Sequence, residues 1–240
     1  MIPAQNNYRG LSYGHWLALW NNWLLSDEPN KYDGGPMLFL RGNLDYRTPV
    51  GDIRYPRSID HNGIYDRTGQ KGITIFEHTA IFIPVITSCY TLGTLIDGEL
   101  LKTEKDVRLH VIDDIEQGGN MWATILKKGD KKPGKIVKDL KEFIIESPLF
   151  SLVIPKESIL NNKQYLPEKK PGIYFAVSCA YCVIIRSLHP SSYIITFGGK
   201  GRGDYYTNSV YELVVKRRNE GTVFDSSRRK REGTYKAKAR

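Results

Sequence analysis

The sequence predicts a mainly β protein: a β-sandwich or jelly-roll-like body with an N-terminal amphipathic helix packed on it and a basic C-terminal arm. Three observations carry that reading. Short β-branched and aromatic runs, broken by Gly, Pro, Asn and Asp, recur from Pro36 to Val215. One early segment has strong helical periodicity. The net charge of +9 over 240 residues is uneven, because residues 216–240 hold ten basic and three acidic side chains and so supply +7 of it. The length suits one domain, and with 40% hydrophobic residues there is material for a core. The expected organisation is an N-terminal extension (1–11), one β-rich domain (12–215) and the arm (216–240).

The helical segment is "SYGHWLALWNNWLLSDEP", Ser12 to Pro29, which holds three of the four tryptophans within eight residues. Tyr13, Trp16, Leu17, Trp20, Trp23 and Leu24 fall on one helical stripe. Ser12 can cap the start, and Pro29 forbids continuation beyond Glu28. As a strand the segment would split its tryptophans, with Trp16 and Trp20 on one face and Trp23 on the other. The stripe could be an aromatic platform for sugar, lipid or partner. The expectation is that Trp16, Trp20 and Trp23 are core residues covering a sheet, since large aromatics dominate burial and seldom stay exposed in a row.

The β elements follow in order. "PMLFLRGN" (Pro36 to Asn43) reads as a short strand, and Leu44 to Gly72 as a long polar loop. "ITIFEHTAIFIPVIT" (Ile73 to Thr87) gives two strands, the second buried on both faces. "GTLIDGELL" centres a two-residue hairpin on Asp97-Gly98. "VRLHVI" (Val107 to Ile112) alternates, predicting a strand with one wet face. "MWATILKKG" is a strand running into the turn "DKKPGK", and "KIVKDLKEF" (Lys135 to Phe143) a short helix. The last third reads as the strands "SPLFSLVIP", "GIYFAVSCAYCVIIRSL", "YIITF" and "SVYELVV", with turns at "HPSS" and "GGKGRGD".

No segment approaches the roughly 20 apolar residues of a membrane span, and the N-terminal residues lack the features of a secretory signal. Cys89, Cys179 and Cys182 are expected to be free buried thiols. Cys179 and Cys182 have C-x-x-C spacing, but positions three apart on a strand face opposite sides, against a metal or redox pair. His15, His61, His78, His110 and His189 show no ligand spacing. Glu77 and His78 are adjacent, and strand neighbours point apart. The loop residues Asp45, Asp52, Asp60, His61 and Asp66 could hold a carboxylate site, although solvated or paired charges are expected. No catalytic residue, metal or cofactor is expected. Arg202-Gly203-Asp204 is an integrin-type tripeptide that a Gly-rich turn favours without further meaning.

The arm is the sharpest electrostatic feature. Lys216, Arg217 and Arg218 are followed by Arg228, Arg229, Lys230 and Arg231, with Lys236, Lys238 and Arg240 beyond. Such clusters bind phosphates, acidic protein surfaces or import receptors, or simply solubilise a terminus.

The order of motifs resembles a family of mostly uncharacterised bacterial, archaeal and viral proteins. They share a W-x-x-W helix ending in Ser and Pro ("WNNWLLSDEP"), an Asp-Gly step ("YDGG"), a GPVWFLAG-like strand ("GPMLFLRGN") and an FFPV-like strand ("TAIFIPVIT"). A "VDG" hairpin ("LIDGELL"), an SPxFxLxLP strand ("SPLFSLVIP"), a long Gly-led strand and an HTIxFGG-like ending ("YIITFGG") follow. The resemblance covers about Ser12 to Val215. It implies a secreted or surface β-sandwich with no established enzymatic activity and brings no catalytic residues. The chain departs from it by lacking the relatives' signal peptide, by "HPSSY" in place of Pro-Gly-x-His, and by the basic arm.

The expected function is a non-enzymatic structural protein, a minor capsid or decoration component of a virion made in the host cytoplasm. It would sit in a larger oligomer, with the arm binding neighbouring assembly proteins, nucleic acid or an acidic surface. The alternative is a cell-surface or extracellular carbohydrate-binding or adhesion module, using the aromatics or loop 44–72.

Overall fold

The computed structural model describes residues 1–26, 34–41, 72–135, 141–156, 170–202 and 206–218. They form a mainly β body of three layers: a helix, a sheet, and a second sheet that shares its layer with another helix.

Helix α1 (Tyr13–Leu25) starts where Ser12 accepts from the His15 N–H and stops at Ser26. The first sheet runs β1 (Met37–Phe39), β3 (Ala80–Thr91), β10 (Gly172–Ile185) and β8 (Ile144–Glu146), with β9 (Phe150–Ile154) also on β10. The second runs β2 (Ile73–Phe76), β12 (Tyr206–Lys216), β11 (Ser191–Lys200), β6 (Gly119–Lys127) and β7 (Gly134–Lys135). The parallel pairs β1–β3 and β2–β12 make both sheets mixed. A small hairpin of β4 (Leu95–Ile96) and β5 (Glu99–Leu100) turns on Asp97 (φ 49°) and Gly98 (φ 86°), both in the left-handed region that a type I′ turn demands.

Strand alternation explains why the first sheet is buried on both faces. Val177, Cys179, Tyr181 and Val183 of β10 point into the core shared with the second sheet, while Ala180, Cys182 and Ile184 point towards α1. In β3 the register jumps so that Tyr181 pairs with Ile86 and Cys182 with Pro84. That bulge turns Val85 and Ile86 both into the inter-sheet core and accommodates Pro84, which has no N–H for the ladder.

"VRLHVI" is not a strand. It lies inside α2 (Glu104–Glu116), where Val107, Val111 and Ile115 form one buried stripe against the first sheet. Thr103 and Asp106 close a capping box, each side chain accepting from the other's backbone N–H, at 3.2 and 2.8 Å. Six residues of alternation were too short a window to separate the two periods. Most of the helix expected at Lys135 to Phe143 lies outside the described residues, and its end is a single 3₁₀ turn, Lys141–Phe143. The strand β11 extends through Gly198-Gly199-Lys200, so the expected turn there is shorter. Residues 44–71 of the expected loop lie outside the described residues.

The N-terminal residues, expected to be an extension, dock on the sheet. Ile2 is 1% exposed and forms an antiparallel bridge with Ile184. Its N–H donates to the Ile184 carbonyl at 2.9 Å. The return bond runs through a side chain: the Ile184 N–H donates to the Tyr13 hydroxyl at 3.0 Å, and that hydroxyl donates to the Ile2 carbonyl at 2.5 Å. A second side chain completes the edge of β9, where the Asn22 amide donates to the Ser151 carbonyl (3.0 Å) and accepts from the Val153 N–H (2.8 Å).

Candidate functional site

Two polar regions stand out among the described residues, one where α2 meets the β11–β12 connection and one at the root of the arm. The first centres on Asp114. One carboxylate oxygen accepts from the Ser88 hydroxyl at 2.9 Å and the Tyr90 hydroxyl at 2.7 Å, and the other from the Arg202 guanidinium at 2.9 Å. Arg202 also lies 3.6 Å from Asp113. The His110 ring stands edge-on to Tyr90, with centroids 6.5 Å apart. Burial, and then the bond to Asp114, push the Tyr90 hydroxyl well above its ordinary pKa and keep it a donor. The junction ties α2, β3 and the residues after β11 together. It also engages the arginine of the Arg202-Gly203-Asp204 tripeptide within the molecule; Gly203 and Asp204 lie outside the described residues. Nearby, Arg108 pairs with Glu104 of its own helix (2.6 Å) and joins α2 to the end of β8 through Glu146 (3.1 Å) and the Ser147 carbonyl (3.0 Å).

The second region begins at Lys216, the last residue of β12, which pairs with Phe76 of β2. The Glu77 N–H donates to the Lys216 carbonyl at 2.9 Å, and the Arg218 N–H to the Glu77 carboxylate at 3.3 Å. The backbone of the arm's first residues is therefore fastened to the β2–β3 turn, while Lys216, Arg217 and Arg218 are exposed. Arg228, Arg229, Lys230 and Arg231, with Lys236, Lys238 and Arg240, lie outside the described residues. Glu77 and His78, expected within a strand, occupy that turn, with His78 at φ 72°.

The other residues singled out from sequence are dispersed. Trp16 and Trp20 are 7% and 4% exposed, which leaves these two indoles no open face for a sugar, and Trp23 is partly buried beside them. Their N–H groups reach backbone carbonyls: Trp16 that of Tyr8 (3.1 Å), Trp20 that of Leu40 (2.7 Å). His15 bonds Ser12 at 2.8 Å, and His189 is exposed in the β10–β11 link. His61 and the aspartates Asp45, Asp52, Asp60 and Asp66 lie outside the described residues. Cys179 and Cys182 are buried on opposite faces of β10, and Cys89 is half-buried. Sequence reasoning missed Ser88, Tyr90 and Asp114 and singled out Arg202 only as part of a tripeptide; the four come from three distant segments, and nothing local signals their meeting.

Burial pushes the Cys89 and Cys179 thiols and the Tyr211 hydroxyl up to about 12, from ordinary values of 9.0 and 10.0. The folded chain thus keeps protons that the unfolded chain gives up above those ordinary values. Stability should be intact near neutral pH and fall as pH rises from about 9 towards 12, so the urea midpoint should be clearly lower at about pH 11 than at about pH 8. Equal midpoints would refute this.

No protein-family model matches this chain, and neither a curated protein nor a solved structure matches it. No described helix is long and apolar enough to cross a membrane.

Proposed function

We propose that this chain is a non-enzymatic structural protein, a minor capsid or decoration component of a virion, whose β body packs among neighbours while its arm binds an acidic partner. The observation that carries the reading is the arm's root: its backbone is fastened to the β2–β3 turn and its Lys216, Arg217 and Arg218 side chains face solvent. A charged segment fixed at its base gives an assembly a defined point of attachment at little ordering cost. The concentration of +7 of the total +9 in residues 216–240 supports the same reading. Truncation after Arg218 leaves every described element in place and removes Arg228 to Arg231. Incorporation of the truncated chain into particles should drop at least about tenfold, as expected for several lost charge contacts. Incorporation equal to that of the full chain would overturn the reading.

A further inference from the structure

The charge of the folded body is not uniform. The β6–β7 turn carries Lys127, Lys128, Lys131 and Lys132, all exposed. Register places this turn beside the arm's root, although the two are almost ninety residues apart in sequence. Lys127 pairs with Tyr193, and the Lys128 N–H donates to the Ser192 carbonyl at 2.8 Å. Ser191 then pairs with Val215, next to Lys216, and Lys216 pairs with Phe76. The β10–β11 link brings exposed Arg186 to the same end, with the Tyr193 hydroxyl bonded to the His189 carbonyl at 2.9 Å. Among the described residues, eight basic side chains thus gather with two acidic ones, Glu77 and Asp130, at this end, and Glu77 already accepts the Arg218 N–H.

We propose that this end of the sandwich, the lysine turn together with the arm's root, is a binding surface for the phosphate backbone of a nucleic acid. The inference rests on the reading above only in taking the arm's root as a contact surface, and it names the partner class. The strands β12, β11 and β6 set the basic groups along a line two strand spacings long. At about 4.8 Å each that is about 10 Å, the reach of about three successive phosphates on one strand. Lysines on long flexible stems suit such a repeating charge, which asks for no fixed fork geometry. Contacts of this kind bring affinity and salt dependence without sequence preference.

The test uses the full-length chain and a labelled nucleic acid of about 24 nucleotides, single-stranded and duplex, by fluorescence anisotropy from about 50 to 300 mM salt. Replacing Lys127, Lys128, Lys131 and Lys132 by Ala should weaken binding at least about tenfold and flatten the log–log salt slope by about 3. The control replaces Lys102, Lys105, Lys156 and Lys170, exposed at the opposite end where β3 finishes and β10 begins. It removes equal charge and should leave the slope close to that of the unchanged protein. Equal losses in the two variants would reduce the effect to net charge and overturn the inference. So would an unaltered slope in the turn variant when truncation after Arg218 abolishes binding, an outcome that leaves the arm's role in assembly standing. Binding to polyglutamate or self-association, with no binding to either nucleic acid, would also overturn it. Circular dichroism and urea midpoints matching those of the unchanged protein establish that each variant is folded.

Discussion

Replacing Gly14 by Ala should destabilise the protein by about 3 kcal/mol, the upper range for an overpacked contact. The sign is the informative part. In an exposed helix the same change stabilises by about 1 kcal/mol, because Ala is the better helix former. Gly14 is buried in the first turn of α1, and a Cβ there would collide with the backbone carbonyl oxygen of Glu146 in β8. The Glu146 carbonyl carbon and the Ser147 Cα would lie at 3.3 Å. None of these atoms is the end of a flexible side chain, so α1 must lift from the sheet and Trp16 and Trp20 lose contact with it. Urea unfolding reads the result as a lowered midpoint at an unchanged slope. A midpoint equal to or above that of the unchanged protein would refute the close seating of α1.

Tyr13→Phe should cost about as much, about 3 kcal/mol, for a different reason. The ring stays and no cavity forms, but one hydroxyl serves two buried backbone groups, the Ile184 N–H and the Ile2 carbonyl. Its removal leaves both without that partner, and each orphaned group carries a penalty of about 1–3 kcal/mol. The loss should concentrate at the N-terminus, so hydrogen exchange at the Ile2 amide should speed up before that of β3. Unchanged stability and exchange would show that the Ile2–Ile184 bridge holds without the hydroxyl.

These two positions mark where sequence reasoning stops. The helix carrying them was legible: Ser12 and a stripe of aromatics at helical spacing gave its start and its buried face, while its end at Leu25 falls short of the Glu28 limit that Pro29 set. The strands were legible wherever β-branched runs met Gly, Pro or Asp-Gly, as at Ile73 to Thr87 and at Asp97-Gly98. The second helix was hidden because Val107 to Ile112 satisfies both periods. Only a longer window, from the Thr103 cap through Ile115, separates them. Gly14 gave no sign of its role, since nothing local says that a strand 132 residues later passes against it. The same holds for the candidate sites. Arg202 and Asp114 are joined across 88 residues, and the lysine turn comes to the same end as Lys216 only because β6, β11 and β12 lie side by side. The +2 that remains for residues 1–215 averages over a basic end and an acidic helix bearing Asp113 and Asp114.

The amide of Asn22 has a wider effect than its two bonds suggest. A sheet margin with vacant backbone donors and acceptors is a template on which other chains can grow, and crowding many copies of one protein together raises that hazard. By satisfying Ser151 and Val153 from an adjacent helix, the chain fills two of the backbone groups on which such growth along that border would start.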